Sequence, residues 1–487
     1  MFAVTSSATL VGARPSRVHV EAHVYAGKER FSLVGLPDTA VREAKDRVRA
    51  AIKSSGFHFP SRALIVNLAP ADIPKAGPAF DLPIALGVLA SCGAIPEAAG
   101  RVVSVGELAL DGTVRRARGV VAAAVIAAEL GVPCIVPVAS AADAAVVEGA
   151  DIRPVRSLAE AIAAARDGFR RPIPVQERRS GPPIEDLADV RGQALARRAI
   201  EVAAAGGHHL LFIGPPGSGK SMLARRLPGL LPELTRDERL EVLCIWESAD
   251  RPFPDGARRP FRSPHHSASQ AALLGGGSGY AVAGEITLSH RGVLFLDELG
   301  EFPSGVLDAL RQPIEDGVID IARRGCSVRY PARCQVVAAT NPCPCGHRGD
   351  RHVACRCSDQ AVERYRRKLS GPLLDRFDLR VWVGRPGNLD GPAGEGTAPV
   401  AARIAEAVGR QRQRGCLNAE LTPATLDRLG AEDGARRLLS TACDAGILNG
   451  RSYDRVRRVA RTIADLAGRD QVSEADVAEA SSFREAW

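Results

Sequence analysis

Residues Gly214-Pro215-Pro216-Gly217-Ser218-Gly219-Lys220-Ser221 carry the pattern G-x-x-x-x-G-K-[ST]. A loop of this kind aims successive backbone N–H groups at one anion, and the helix that follows adds its positive end. Lys220 is set to reach the β- and γ-phosphates of a nucleotide, and the Ser221 hydroxyl to ligate Mg²⁺. The apolar run Leu210-Leu-Phe-Ile213 precedes the loop and the helical pattern Met222-Leu-Ala-Arg-Arg-Leu227 follows it. They supply the strand and helix that the chemistry requires. Further on, Gly292-Val-Leu-Phe-Leu-Asp297-Glu298 reads as an apolar strand ending in two carboxylates. Buried parallel strands are continuous apolar runs, and ligands gather at their carboxyl ends. Asp297 is expected to hold Mg²⁺ through water, and Glu298 to orient and polarise an attacking water. The two motifs in this order point to an ATP hydrolase.

A third group is Cys343-x-Cys345 and Cys355-x-Cys357, in a glycine- and arginine-rich loop over 342–358. Four of the chain's eleven cysteines fall there. Four thiolates match a closed tetrahedral Zn²⁺ site, although C-x-C is tighter than the commoner C-x₂₋₄-C. His347 or His352 could replace one sulfur, and reduced free thiols are the alternative.

These groups need elements to hold them. The chain of 487 residues is long enough for two to four domains. It is 45% hydrophobic with only 4% aromatic residues, so Ala, Val and Leu must fill the cores. A net charge of +8 fits an anionic partner. The N-terminal residues lack a basic start followed by an apolar core, and there is no run of about 18 apolar residues. An odd number of cysteines beside a nucleotide loop suits a reducing cytoplasm. An α/β fold is expected. Proline- and glycine-rich stretches at 171–184 and 384–399 divide the chain into regions 1–170, 185–383 and 400–487. In the first region, Asp38 should cap a helix that buries Val41, Ala44, Val48 and Ile52. Leu64-Ile-Val-Asn-Leu68 and Cys134-Ile-Val-Pro137 read as strands, and 122–130 as a helix. In the third region one helix puts Val456, Val459, Ile463 and Leu466 on one face, with Arg455, Arg458 and Thr462 opposite.

Longer motifs make the chain resemble the magnesium-chelatase-like AAA+ proteins of the competence protein ComM (YifB) family. They are Val34-Gly-Leu-Pro-Asp-Thr-Ala-Val41, Val66-Asn-Leu-Ala-Pro-Ala-Asp72, Phe80-Asp-Leu-Pro-Ile-Ala-Leu-Gly87, Arg262-Ser-Pro-His-His-Ser-Ala-Ser269, Gly284-Glu-Ile-Thr-Leu-Ser-His290, Asn341-Pro-Cys-Pro-Cys-Gly346, Gly371-Pro-Leu-Leu-Asp-Arg-Phe-Asp378 and Ala460-Arg-Thr-Ile-Ala-Asp-Leu466. Tyr280-Ala-Val-Ala-Gly284 departs from the pattern, where a proline-containing approach is usual.

The resemblance implies a central AAA+ P-loop domain and a C-terminal helical lid. It gives Asn341, at the end of strand-like 335–340, the part of sensing the γ-phosphate. It makes Arg376 a finger reaching a neighbouring subunit's nucleotide, hence a homo-oligomeric ring, most simply a hexamer. Arg451 becomes the lid's arginine sensor, with Arg455 the alternative one turn on. A basic hairpin over 316–330, carrying Arg323, Arg324 and Arg329, would line the ring's pore and, with Arg258, Arg259 and Arg262, could track a phosphate backbone.

The first region also resembles the proteolytic domain of Lon-type proteases, through Lys75-Ala-Gly-Pro-Ala-Phe-Asp81 and Gly106-Glu-Leu-Ala-Leu-Asp-Gly112. The serine and lysine of those proteases fall at Ala79 and about Val121, whose side chains can be neither nucleophile nor base. The implied function is an ATP-driven motor on DNA, a helicase or branch-migration enzyme of recombination and natural transformation. A chelatase-type motor that remodels a partner for metal insertion is the alternative. An ATP-dependent protease is argued against by Ala79 and Val121.

Overall fold

The computed structural model describes residues 1–35, 38–73, 75, 77–96, 101–167, 185–251, 258–276, 282–323, 326–369, 371–385 and 393–484. They form two compact units. One comprises Met1–Gly181 with Thr235–Gly256, the other Pro182–Leu234 with Ala257–Trp487.

The first unit is built on strands β1 (Phe2–Val11), β2 (Arg14–Tyr25), β3 (Arg30–Val34), β4 (Ala63–Ala69), β5 (Val103–Ser104), β6 (Pro133–Pro137) and β7 (Asp151–Val155). They make one mixed sheet in the order β3-β4-β2-β1-β5-β6-β7. Its helices include α1 (Thr39–Ser54), α2 (Asp81–Ser91), α3 (Val120–Leu130) and α4 (Leu158–Arg166). Asp38 caps α1 by accepting from the Val41 amide at 2.8 Å, an interaction that contributes about 1 kcal/mol. Val41, Ala44, Val48 and Ile52 are buried, as their helical spacing requires. Helix α3 is alanine-rich and buried over nearly all of Val120–Ala127, so packing on both sides holds that part rather than an amphipathic face.

One segment belongs elsewhere than its place in the chain implies. Residues 235–256 follow the nucleotide loop in sequence, yet helix α7 (Arg236–Ser248) packs with the first unit. Its periodicity places a buried face but names no neighbour.

The second unit carries a parallel sheet of β8 (Leu210–Ile213), β9 (Phe261–Arg262), β10 (Val293–Leu296), β13 (Gln335–Thr340) and β14 (Leu379–Trp382). Between β10 and β13 lies an antiparallel hairpin, β11 (Val318–Arg323) and β12 (Cys326–Pro331). The sheet order is β9-β10-β13-β8-β14. Every residue of β8, β10 and β13 is buried, which is why β8 and β10 read as unbroken apolar runs and β13 as one bounded by Gln335 and Thr340. Helices α5 (Ala194–Gly206), α6 (Lys220–Leu230), α8 (Ser304–Asp316) and α9 (Asp359–Lys368) accompany it. The C-terminal helices are α10 (Thr397–Gln413), α11 (Pro423–Leu429), α12 (Asp433–Asp444), α13 (Gly450–Leu466) and α14 (Glu474–Ser482). The apolar residues of the sheet and of these helices share one core.

The stretch 171–184 lies outside the described residues, as do 386–392 of the second glycine-rich stretch and Tyr280 and Ala281. Helix α10 begins at Thr397, inside what composition reads as linker. A proline in the first turn costs no hydrogen bond, so Pro399 does not prevent this start. Helix α13 buries Val456, Val459 and Ile463 as expected, but the opposite face is not a solvent face. Thr462 is fully buried and its Oγ1 lies 2.7 Å from His208 Nε2. Arg455 is only 11% exposed against Asp375 and Asp378, and Arg458 donates to the Leu421 carbonyl. The helix is packed on both sides, and polar side chains line the second one because each finds a partner there.

Candidate nucleotide site

Strand β8 sits between β13 and β14, and all three run parallel. β10 pairs in parallel with β13 on the far side. The carboxyl ends of β8, β10 and β13 therefore open on one edge. They deliver the 214–221 loop, Asp297-Glu298 and Asn341 to it. The loop can turn there because of its glycines. A Cβ on Gly214 would lie 2.1 Å from the Val383 carbonyl oxygen, and Gly219 sits at φ +91° just before α6.

These groups line a cavity of about 400 Å³, bounded by 216–222 with Asp297, Glu298, Thr340 and Asn341. Lys220 is buried. Its Nζ donates to the Gly214 and Pro215 carbonyls at 2.8 Å and lies 3.4 Å from Asn341 Oδ1. Burial pulls its pKa down to about 8, against the opposing pull of Asp297 and Glu298. The Ser221 hydroxyl donates to Asp297 Oδ2 at 2.7 Å, joining the two motifs directly. The bond suits a Ser221 hydroxyl that would ligate Mg²⁺ while Asp297 holds that hydroxyl and would meet the ion through water.

Glu298 has φ +50°, an uncommon backbone for a residue with a side chain and one that functional turns tolerate. Its carboxylate is half-exposed and lies 3.1 Å from His266 Nδ1. His266 in turn meets the Phe302 ring edge-on. Reading the residues one by one does not find His266. The His265-His266 pair appears in a quoted motif, but its partner is far along the chain.

The expected arginines are spread more widely. Arg376 is mostly buried and ion-pairs with Glu315 rather than with Asp375 or Asp378. Arg451 is 71% exposed, with Asp375 at 4.0 Å. Arg455 is the enclosed member of the pair, 3.4 Å from Asp378. None of the three lines the cavity among the described residues.

The basic groups proposed for a phosphate backbone have largely found acidic or carbonyl partners. Arg262 makes two bonds to Glu285, at 2.6 and 2.7 Å. Arg259 donates to the Pro232 and Arg291 carbonyls. Arg329 pairs across the hairpin with Asp320 at 2.8 Å. Arg324 and the Arg323 side chain lie outside the described residues.

The four cysteines do converge. Sulfur atoms of Cys343, Cys345 and Cys355 stand 3.4–3.6 Å apart, and with Cys357 all four lie within 4.8 Å of one another. A tetrahedron of 2.3 Å Zn–S bonds has edges of about 3.8 Å. The cluster fits that ion and involves no disulfide. His347 is not part of it, since its Nδ1 pairs with Asp350 at 3.2 Å.

In the first unit, Ala79 and Val121 are both buried. Beside Val121, Glu247 of α7 accepts from the Val120 and Val121 amides at 2.7 and 3.4 Å. Burial pushes the Glu247 carboxyl up to about 7 even with these donors.

A parallel sheet with the phosphate loop, two acidic residues and a polar sensor at its carboxyl edge, followed by a helical C-terminal part, fits the magnesium-chelatase-like AAA+ class. Three family descriptions match the chain. They are magnesium chelatase, subunit ChlI, over 186–390; subunit ChlI of Mg-chelatase over 20–140; and the ChlI C-terminal part over 394–484. An uncharacterized protein of Mycobacterium tuberculosis is 45% identical over 96% of this chain and 95% of its own. Uncharacterized protein YifB of Salmonella typhimurium is 42% identical and the competence protein ComM of Haemophilus influenzae 41%, each covering 99% of this chain and 97% of its own. The chain belongs to the ComM/YifB family of magnesium-chelatase-like proteins. No helix among the described residues is long and apolar enough to cross a membrane.

Proposed function

We propose that this protein is an ATP-hydrolysing AAA+ ring motor that acts on DNA, with helicase or branch-migration activity in recombination and transformation. The observation that carries the ATPase part is the direct bond from Ser221 to Asp297 beneath Lys220. It unites two distant motifs in one cavity. The 214–221 amides and Lys220 bind the phosphates, and Ser221 and Asp297 would hold Mg²⁺. When bound, that ion neutralises charge on the phosphate oxygens. Glu298 orients the attacking water and takes its proton, with His266 fixing the carboxylate. Asn341 positions the γ-phosphate end of the substrate. Arg376 acts on a neighbouring subunit's nucleotide, exchanging its bond to Glu315 for the phosphate. That role implies a homo-oligomeric ring, most simply a hexamer. Arg451, largely exposed and only 4.0 Å from Asp375, is the lid sensor in this reading, because Arg455 is enclosed against Asp378.

The division into a Lon-like region at 1–170, an ATPase region at 185–383 and a lid from 400 is part of the proposal. The buried methyl of Ala79 supports a first region without peptidase chemistry. A structural Zn²⁺ at Cys343, Cys345, Cys355 and Cys357 and a cytoplasmic location are supported by thiols that make no disulfide. The DNA assignment rests on the net charge of +8 and on the relative named a competence protein. The family descriptions carry the chelatase name, so a motor remodelling a partner protein is the second reading.

The deciding experiment measures ATPase activity with and without single-stranded, duplex and four-way-junction DNA. Stimulation by DNA together with strand migration, both lost in Glu298→Gln, is the expected result. ATPase activity indifferent to DNA, with no DNA binding at low salt, would sink the DNA assignment.

A further inference from the structure

The four-cysteine loop is not a separate module hung on the surface. It leaves β13 immediately after Asn341, and Cys343 is completely buried. The loop then turns at Gly346, where φ is +81°. A Cβ on Gly346 would stand 2.8 Å from Pro216 Cδ and 3.8 Å from Asn341 Cγ. The loop therefore lies tight against Pro216 of the phosphate loop and in contact range of the sensor side chain. The chain leaves the cluster at Ser358, which caps α9 by accepting from the Ala361 amide. Helix α9 returns to the same edge of the sheet. Its Tyr365 hydroxyl is 3.4 Å from Thr340 Oγ1, one residue before Asn341. The Tyr365 ring fills the space where a Cβ on Gly300 would come within 2.3 Å, in the turn just after Glu298. The cluster thus lies between two segments that both touch the catalytic edge.

The loop itself brings little apolar surface, and its close apolar neighbours are Pro216 at Gly346 and the Trp382 ring at Gly349. Residues 344–356, Pro-Cys-Gly-His-Arg-Gly-Asp-Arg-His-Val-Ala-Cys-Arg, are mostly charged, polar or glycine. Such a segment has too little apolar surface to offset its ordering entropy. A metal bound only by the folded loop supplies that free energy directly.

We propose that the tetrathiolate site is a positioning clip for ATP hydrolysis. Zn²⁺ at Cys343, Cys345, Cys355 and Cys357 fixes the loop, and the loop fixes Asn341 and Pro216 for turnover. The proposal rests on the zinc reading above and adds its consequence for the nucleotide site. Cys343, Cys345, Cys355, Cys357 and Gly346 are positioning residues, because none lines the cavity itself.

The test uses the full chain. Metal content of the purified protein by mass spectrometry is read first; a protein free of stoichiometric zinc overturns the zinc reading and this proposal together. With zinc present, it is stripped by a chelator, and kcat, KM and the Kd of a fluorescent non-hydrolysable ATP analogue are measured. Displacing Asn341 should lower kcat by roughly 10- to 100-fold while Kd changes by less than about threefold. Adding Zn²⁺ back should restore kcat. Gly346→Ala gives an independent arm. It should keep its zinc yet lose kcat in the same way, since the added methyl presses on Pro216 and strains the φ +81° turn beside Asn341. If stripped protein that still binds the analogue, or zinc-loaded Gly346→Ala, keeps kcat within about twofold of wild type, the clip is overturned while the zinc site stands.

Discussion

Helices α3 and α6 begin in the same way and end up doing different things. Each is preceded by a glycine in the left-handed region, Gly119 at φ +86° and Gly219 at φ +91°. Each turns its first amides, and the positive end of its dipole, away from the helix. At α3 the acceptor is part of the chain, because the Glu247 carboxyl accepts from the first two amides of the helix. At α6 the first turn faces the cavity that also holds Lys220, Asp297 and Asn341. A helix start is thus a structural joint when the fold supplies its own carboxyl. It becomes a candidate substrate site when the cavity is left for something else. The same contrast separates Ala79 and Val121, buried and inert, from Lys220 and Glu298.

The sharpest way to break this comparison is to remove the cation that distinguishes the α6 site. Lys220→Ala should weaken ATP binding by about 100-fold or more, measured by titration with a fluorescent analogue. Unchanged affinity would mean that the α6 end is no more a ligand site than the α3 end. The corresponding change in the first unit, Glu247→Ala, should leave nucleotide affinity alone and cost stability instead. Losing the acceptor over two buried amides costs about 1–3 kcal/mol, or about 2–4 °C of melting temperature per kcal/mol in a unit of this size. Calorimetry should find the loss in the first unit's transition.

The two ends also differ in the quantity that pH controls and in its range, although both responses fall as pH rises. The folded pKa of Glu247, about 7, lies above its ordinary value of 4.5. Its stabilising contribution is therefore complete below pH 4.5 and is lost as pH rises through about 7. Glu247→Gln should flatten that part of the stability profile, and an identical slope in the variant would refute the assignment. Lys220, at about 8 in the free site, gains its proton back when phosphates bind. Nucleotide affinity should be level below pH 8 and fall by up to about tenfold per unit above it, with proton uptake on binding visible in buffers of different ionisation enthalpy. An affinity that stays level to pH 9.5 would show that burial does not lower the Lys220 pKa in this way.

Much of the nucleotide site was legible in the sequence because its parts are local. A phosphate loop needs its own glycines, the strand before it and the helix after it, all within one short stretch. Asp297, Glu298 and Asn341 were legible for a related reason, since each follows a mainly apolar strand. The Asp38 cap and the buried face of α1 follow from spacing alone. The lid helix α13 was half legible. Its apolar stripe was correct, but a polar residue in the sequence looks the same facing water as facing a buried partner such as His208. Arg451 and Arg455 share that ambiguity, and only burial separates them. Arg262 and Arg259 looked available to an anion until Glu285 and two carbonyls were seen to hold them.

By itself the sequence determined which residues can do chemistry and in what order the strands present them, because backbone conformation and strand burial are written in near neighbours. Tertiary structure alone decided which distant groups meet. It set His266 on Glu298, laid the four-cysteine loop against Pro216, and sent α7 to the first unit to fill the end of α3. Those choices depend on packing between segments far apart in the chain, where pairwise complementarity, not spacing, selects the partner.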